Sequence, residues 1–134
     1  AGIKNLNLEK NVKEIFSLND VIPSAGQGVI AAQCRNDDEE IKEILNKIND
    51  FETKQCAISE RSMLKTIGGN CDTAVGALAT VIGDEIKLSA QLFSDSGDEA
   101  FFYELKGKRE DAIKIGITVG SILLKKAGSK FKKK

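Results

Sequence analysis

Glu85-Ile86-Lys87-Leu88-Ser89-Ala90-Gln91-Leu92 alternates polar and apolar residues without a break. A period of two sets Ile86, Leu88, Ala90 and Leu92 on one face of a strand. It leaves Glu85, Lys87, Ser89 and Gln91 on a wet face. Turn sequences bound the run: Gly83-Asp84 before it and Asp95-Ser96-Gly97-Asp98 after it. Beyond the turns lie two further strand-like runs, Ala74 to Ile82 and Glu99 to Leu105. Connections this short predict an antiparallel meander.

Helical periods flank the meander on both sides. Thr53 is placed to cap a helix over Lys54 to Ile67, with Ala57, Met63, Leu64 and Ile67 as its apolar stripe. Glu60, Arg61 and Lys65 read as its solvated face, and Arg61 is near enough in sequence to serve the loop that follows. On the far side, Glu110 to Lys126 carries Ala112, Ile115, Val119, Ile122 and Leu123 as a buried stripe, with Gly128 as its stop. The order from Lys54 is αβββα. The expected class is α+β, a three-stranded antiparallel sheet with helices on one face.

The first helix ends at Gly68-Gly69-Asn70-Cys71. Glycine just past the last periodic residue accepts the left-handed conformation that closes a helix. Cys71 therefore belongs to a short loop held between rigid elements, where chemistry is commonly placed. A free cysteine is ordinarily a small buried hydrophobe. Cys34, closing an apolar run, and Cys56, on the amphipathic helix, fit that description. Cys71, between Asn70 and Asp72, does not.

The N-terminal third reads differently. Glu9 to Phe16 has the spacing of a short helix, with Leu8, Val12, Ile15 and Phe16 on one face. Val21-Ile22-Pro23 is extended, because the proline ring disfavours helix at Ile22. Ser24-Ala25-Gly26-Gln27-Gly28 is a glycine-rich turn leading into Val29 to Cys34, an apolar run without alternation. Such a run suits a strand buried on both faces. Arg35 ends it, Asn36-Asp37-Asp38 caps a helix, and Ile41, Ile44, Leu45 and Ile48 form that helix's stripe. Asn49-Asp50-Phe51-Glu52 breaks the pattern and marks a domain boundary.

Composition narrows the function classes. Lys and Arg total 20 and Asp and Glu total 20, a formal net charge of +0 that gives no general pull toward nucleic acid. The lysine-rich tail, Lys125 to Lys134, reads as a solvated end. Histidine is absent, which removes the commonest general base and metal ligand. Three cysteines without a CxxC pair predict neither a metal site nor a disulfide framework, and suit a reducing, cytoplasmic setting. No apolar run approaches the ~20 residues of a membrane span. A chain that starts at Ala1 without methionine is expected to be a piece of a longer one.

Four ordered motifs carry a resemblance: Pro23-Ser24-Ala25-Gly26-Gln27-Gly28, Cys34-Arg35, Ser59-Glu60-Arg61, and Gly68-Gly69-Asn70-Cys71 with Val75-Gly76-Ala77. In order and spacing the chain resembles the C-terminal part of the hydroxymethylbilane synthase (porphobilinogen deaminase) family. Gln33-Cys34-Arg35 stands where the family has Glu-Cys-Arg. Ala1-Gly2-Ile3-Lys4-Asn5 stands where it has Ala-Gly-Leu-x-Arg, so one arginine is replaced by Asn5.

The resemblance implies three domains in the parent. Residues 1–22 would close the second, residues 23–49 would return by a strand and helix to the first, and residues 50–134 would form the third. The first two are α/β and related to periplasmic binding proteins. It implies a transferase of heme biosynthesis that joins four porphobilinogen molecules into hydroxymethylbilane and releases ammonia. It also implies a dipyrromethane cofactor held by a thioether to Cys71, with Gln27, Gly28 and Arg35 as cofactor-binding residues. The catalytic aspartate would lie N-terminal to this chain, so the isolated piece is expected to be inactive. The implied partners are porphobilinogen, the growing polypyrrole and the remaining domains of the same protein, which is expected to be monomeric. A stand-alone α+β binding or regulatory module is the alternative, and it leaves the four motifs unexplained.

Overall fold

A computed structural model describes residues 2–18, 20–69 and 73–131. Cys71, with its neighbours Asn70 and Asp72, lies outside the described residues. Helix α1 is a single turn, Gly2–Asn5, α2 spans Glu39–Ile48 and α3 spans Phe51–Ile67. Strands β1 (Val75–Ile82), β2 (Glu85–Phe93) and β3 (Ala100–Lys108) follow, and then α4 (Ala112–Ala127).

The meander forms as the alternation predicts. The sheet order is β1-β2-β3, antiparallel throughout. Ile82 pairs with Glu85, so Gly83-Asp84 is a two-residue hairpin loop, and Leu88 pairs with both Ala79 and Leu105. Ile86, Leu88, Ala90 and Leu92 are all fully buried on one face, joined by Ala77 and Ala79 of β1. Met63 and Ile67 of α3 and Ile115, Val119 and Leu123 of α4 close over that face and complete the core. Each such side chain contributes roughly 1.5–3 kcal/mol on burial. The two helices lie unusually close. A Cβ on Gly116 would sit 2.2 Å from the Ser59 carbonyl oxygen, and one on Gly120 would sit 2.9 Å from that of Met63. Only hydrogen at these positions lets α4 approach the α3 backbone.

Helix α3 starts earlier than Thr53 suggests. Asp50 is the N-cap, its carboxylate accepting the Thr53 N–H at 2.7 Å, which satisfies a donor that the first turn leaves free. At the other end Gly68 adopts φ 76° and donates to the Leu64 carbonyl at 3.0 Å. The glycine stop is thus where the sequence places it.

The N-terminal third departs from expectation. No strand forms over Val29 to Cys34 among the described residues, and Ile30 is 93% exposed. A strand apolar on both faces needs neighbours on both sides, and none flanks it here. Helix Glu9 to Phe16 shrinks to a 3-10 turn, Glu9–Asn11, and Ile15 and Phe16 point to solvent. A helix that short holds only when its apolar face is packed. Helix α2 does form, capped by Asp38 through the Ile41 N–H at 3.2 Å, with Ile41, Ile44 and Ile48 exposed.

One stretch of this third joins the sheet-and-helix unit. The Pro23 carbonyl accepts the Ala77 N–H at 2.8 Å, on the outer edge of β1. Ile22 crosses Gly76 so closely that a Cβ there would be 2.6 Å from its carbonyl oxygen.

Candidate functional site

Glu60 sets the geometry of the site. Its side chain is 5% exposed, so it does not belong to the solvated face expected of it. One carboxylate oxygen accepts the Gly26 N–H at 2.6 Å and the other accepts the Ala79 N–H at 2.8 Å. A buried carboxylate is costly unless its oxygens are satisfied, and two backbone donors satisfy it. The glycine-rich turn is thereby fixed to α3 and to β1 at once. Gly26, at φ 74°, turns its amide inward without strain.

Two clefts open on either side of this clamp. The larger, about 950 Å³, is lined by Ser24 and Ala25 of the turn, by Arg61 and Lys65 of α3, and by Gly69 and Thr73, among others. Gly69 and Thr73 are the described residues on either side of residues 70–72. Its walls are mostly apolar, from Ile58, Leu64, Val75 and Ile113. The second, about 650 Å³, is lined by Gln27, Gly28, Cys56 and the Leu78–Val81 stretch of β1. Glu60 borders that cleft as well.

The residues singled out in the sequence are therefore distributed as follows. Gln27 and Gly28 lie at the second cleft, while the first half of their turn lies at the larger one. Arg35 lines neither: its guanidinium is 82% exposed and pairs with Asp38 at 2.7 Å, beside the α2 cap. Cys56 is half-buried, and burial pushes its thiol pKa up, with the Glu60 and Glu52 carboxylates adding to the effect. A thiol held up in this way is less often thiolate than an ordinary one, and so less nucleophilic. Arg61 and Lys65, one turn apart on α3, reach the larger cleft and make no ion pair among the described residues. Sequence reasoning missed Glu60, although Ala57, Glu60, Met63 and Ile67 share one helical face. It also passed over Gly116 and Gly120, four residues apart on the buried side of α4.

Fold and site together define an α+β domain with an open, mostly apolar cleft that carries Arg61 and Lys65 on one wall. Comparison with known proteins adds the lineage. Residues 54–125 match the family model "Porphobilinogen deaminase, C-terminal domain", and residues 1–43 match "Porphobilinogen deaminase, dipyromethane cofactor binding domain". The porphobilinogen deaminase of Clostridium novyi (strain NT) is 38% identical over 128 residues, covering 93% of this chain and 43% of that protein. The Coxiella burnetii (strain Dugway 5J108-111) protein of the same name is 35% identical, covering 96% and 42%. That of Nitrobacter hamburgensis is 33% identical, covering 98% and 42%. The chain belongs to the porphobilinogen deaminase family and spans about two fifths of the length of these relatives.

Proposed function

We propose that this chain is the cofactor-anchoring part of a hydroxymethylbilane synthase, a transferase that joins four porphobilinogen molecules and releases ammonia. Cys71 holds a dipyrromethane primer through a thioether. In forming that link the aminomethyl C–N bond breaks, ammonia departs with the thiol proton, and a C–S bond forms. Sulfur suits the task, because a thiolate is a strong nucleophile and its thioether endures through repeated turnover. When bound, the primer supplies the pyrrole end to which further units are joined.

One observation carries the reading beyond family membership. The two loops that the family's motifs occupy, Ser24-Ala25 and the ends of the Gly69–Thr73 segment, line one cleft. The side chains present fit a dipyrrole bearing acetate and propionate groups: apolar walls for the rings, Arg61 and Lys65 for the carboxylates, and hydroxyls from Ser24 and Ser62. Gln27 and Gly28 serve the same group from the far side of the turn, and Arg35 binds a carboxylate once it is released from Asp38. Residues 1–22, 23–49 and 50–134 belong to the second, first and third domains of the parent, which works in the cytoplasm as a monomer. Among the described residues no helix is long and apolar enough to cross a membrane.

The test uses the full-length parent. Cys71→Ser abolishes the covalent dipyrrole, read as an added mass and by the colour reaction with acidic dimethylaminobenzaldehyde. Cys34→Ser and Cys56→Ser retain it. A Cys71→Ser protein that still carries the adduct overturns the assignment.

A further inference from the structure

We propose that Glu60 is a positioning residue for primer attachment: through the Gly26 N–H it fixes the direction in which the glycine-rich turn presents Gln27 and Gly28. The inference rests on the function proposed above, which gives Gln27 and Gly28 to the primer, and adds to it the group that holds them. Glu60 acts through the turn and touches no ligand itself.

The fold alone gives no reason for a carboxylate at this position. Met63 and Ile67, on the same side of α3, are fully buried and apolar, and a side chain of that kind at residue 60 would extend the core. A buried charge is costly unless hydrogen bonds are made to it. Glu60 makes two, to backbone amides 34 and 19 residues away in sequence, and so joins α3 to the turn and to β1. The bond to the Ala79 N–H seats the carboxylate against β1, and this gives its other oxygen a fixed place. That oxygen meets the Gly26 N–H at 2.6 Å.

The turn depends on this contact. Internally it is two overlapping turns: the Gln27 N–H donates to the Ser24 carbonyl at 3.0 Å, and the Val29 N–H donates to the Gly26 carbonyl at 3.1 Å. Gly26 and Gly28 supply the positive φ angles, 74° and 82°. Glycine makes such a geometry accessible without making it unique. Among the described residues, the Gly26–Glu60 bond is the one hydrogen bond that ties residues 24–28 to the rest of the chain. Just beyond it, Gln27 and Gly28 are exposed at the second cleft. A group bound there is held only as firmly as the turn is. Fixing the turn before the ligand arrives lowers the ordering cost of binding.

The experiment uses the full-length protein prepared without cofactor and takes two readings. Amide exchange of the unloaded protein reports the turn, and intact mass over time after adding porphobilinogen reports loading. In Glu60→Ala, exchange over residues 24–29 is faster than in the parent while Ile86 to Leu92 stays slow. Its loading rate falls roughly tenfold or more, the scale of loss expected when a positioned group shifts by less than an ångström. Glu60→Gln, which still offers one acceptor, lies between Glu60→Ala and the parent on both readings. Val119→Ala is the control for lost stability, since Val119 is a fully buried residue of α4 that lines neither cleft. It melts below the parent, yet keeps the turn protected and loads at the parent's rate. A Glu60 variant that loosens the turn and still loads at the parent's rate overturns the inference. So does a Glu60→Ala turn as protected as the parent's, or a Val119→Ala protein that loads as slowly as Glu60→Ala. Each of these leaves the Cys71 reading standing. A parent that never gains the dipyrrole mass overturns both.

Discussion

Glu60 accepts two backbone hydrogen bonds with a side chain nearly sealed from water. Replacing it by alanine strands the Gly26 and Ala79 amides and opens a void between α3 and β1. Two charge-assisted bonds lost in this way cost about 3 kcal/mol. Urea denaturation of Glu60→Ala should show a midpoint lowered to match, with an unchanged slope. Glu60→Gln should fall between the two, since one amide oxygen still accepts. The burial of Glu60 was legible in the helical phase, which sets it between Ala57 and Met63 on the apolar stripe. Its charge argued for solvent, and only the incoming turn, distant in sequence, supplies the donors that reverse this. Cys56 gives a second expectation at the same scale. Burial and the nearby carboxylates hold its pKa up, so less of it is thiolate at any given pH. Alkylation by iodoacetamide at mildly alkaline pH should be slower there than for a free thiol of ordinary pKa.

Helix α3 is fixed at both termini by identifiable groups, and its N-cap gives a pH expectation. The Thr53 N–H bond holds the Asp50 carboxyl below its ordinary pKa. A depressed carboxyl pKa contributes stability that is present above the unfolded pKa and is lost as pH falls through the folded one. Asp50→Asn should therefore melt below the parent at neutral pH. The two melting temperatures should converge under acid, where the parent's cap is protonated. A gap that persists unchanged at low pH would mean the cap acts through shape alone. At this scale the sequence was most readable where a period and its punctuation agreed. Alternation bounded by Gly83-Asp84 located β2, and Gly68 located the end of α3. It failed at Val29 to Cys34, where apolar residues without alternation describe a strand only in the presence of flanking strands. The close seating of α4 on α3 was invisible to periodicity, because Gly116 and Gly120 act by what they lack.

As a whole, the chain combines a sheet-and-helix unit with a core of its own and an N-terminal third that touches it mainly through residues 22–26. A chain cut to begin at Asn49 keeps the Asp50 cap and every residue of the buried core. It should unfold cooperatively on heating. In the full chain, amide exchange should be fast over Val29 to Cys34 and slow over Ile86 to Leu92; equal protection would show that the N-terminal third has a partner of its own. The crossing at Ile22–Gly26 has a further consequence. A strand at the margin of a sheet carries a comb of amides and carbonyls able to recruit a strand from another molecule. Here Pro23 occupies the comb at Ala77, and Glu60 occupies it at Ala79. The contact that positions the glycine-rich turn therefore also acts as a guard against polymerisation. Removing residues 22–26 leaves a folded unit with an open margin, and sedimentation of the shortened chain should show self-association that grows with concentration.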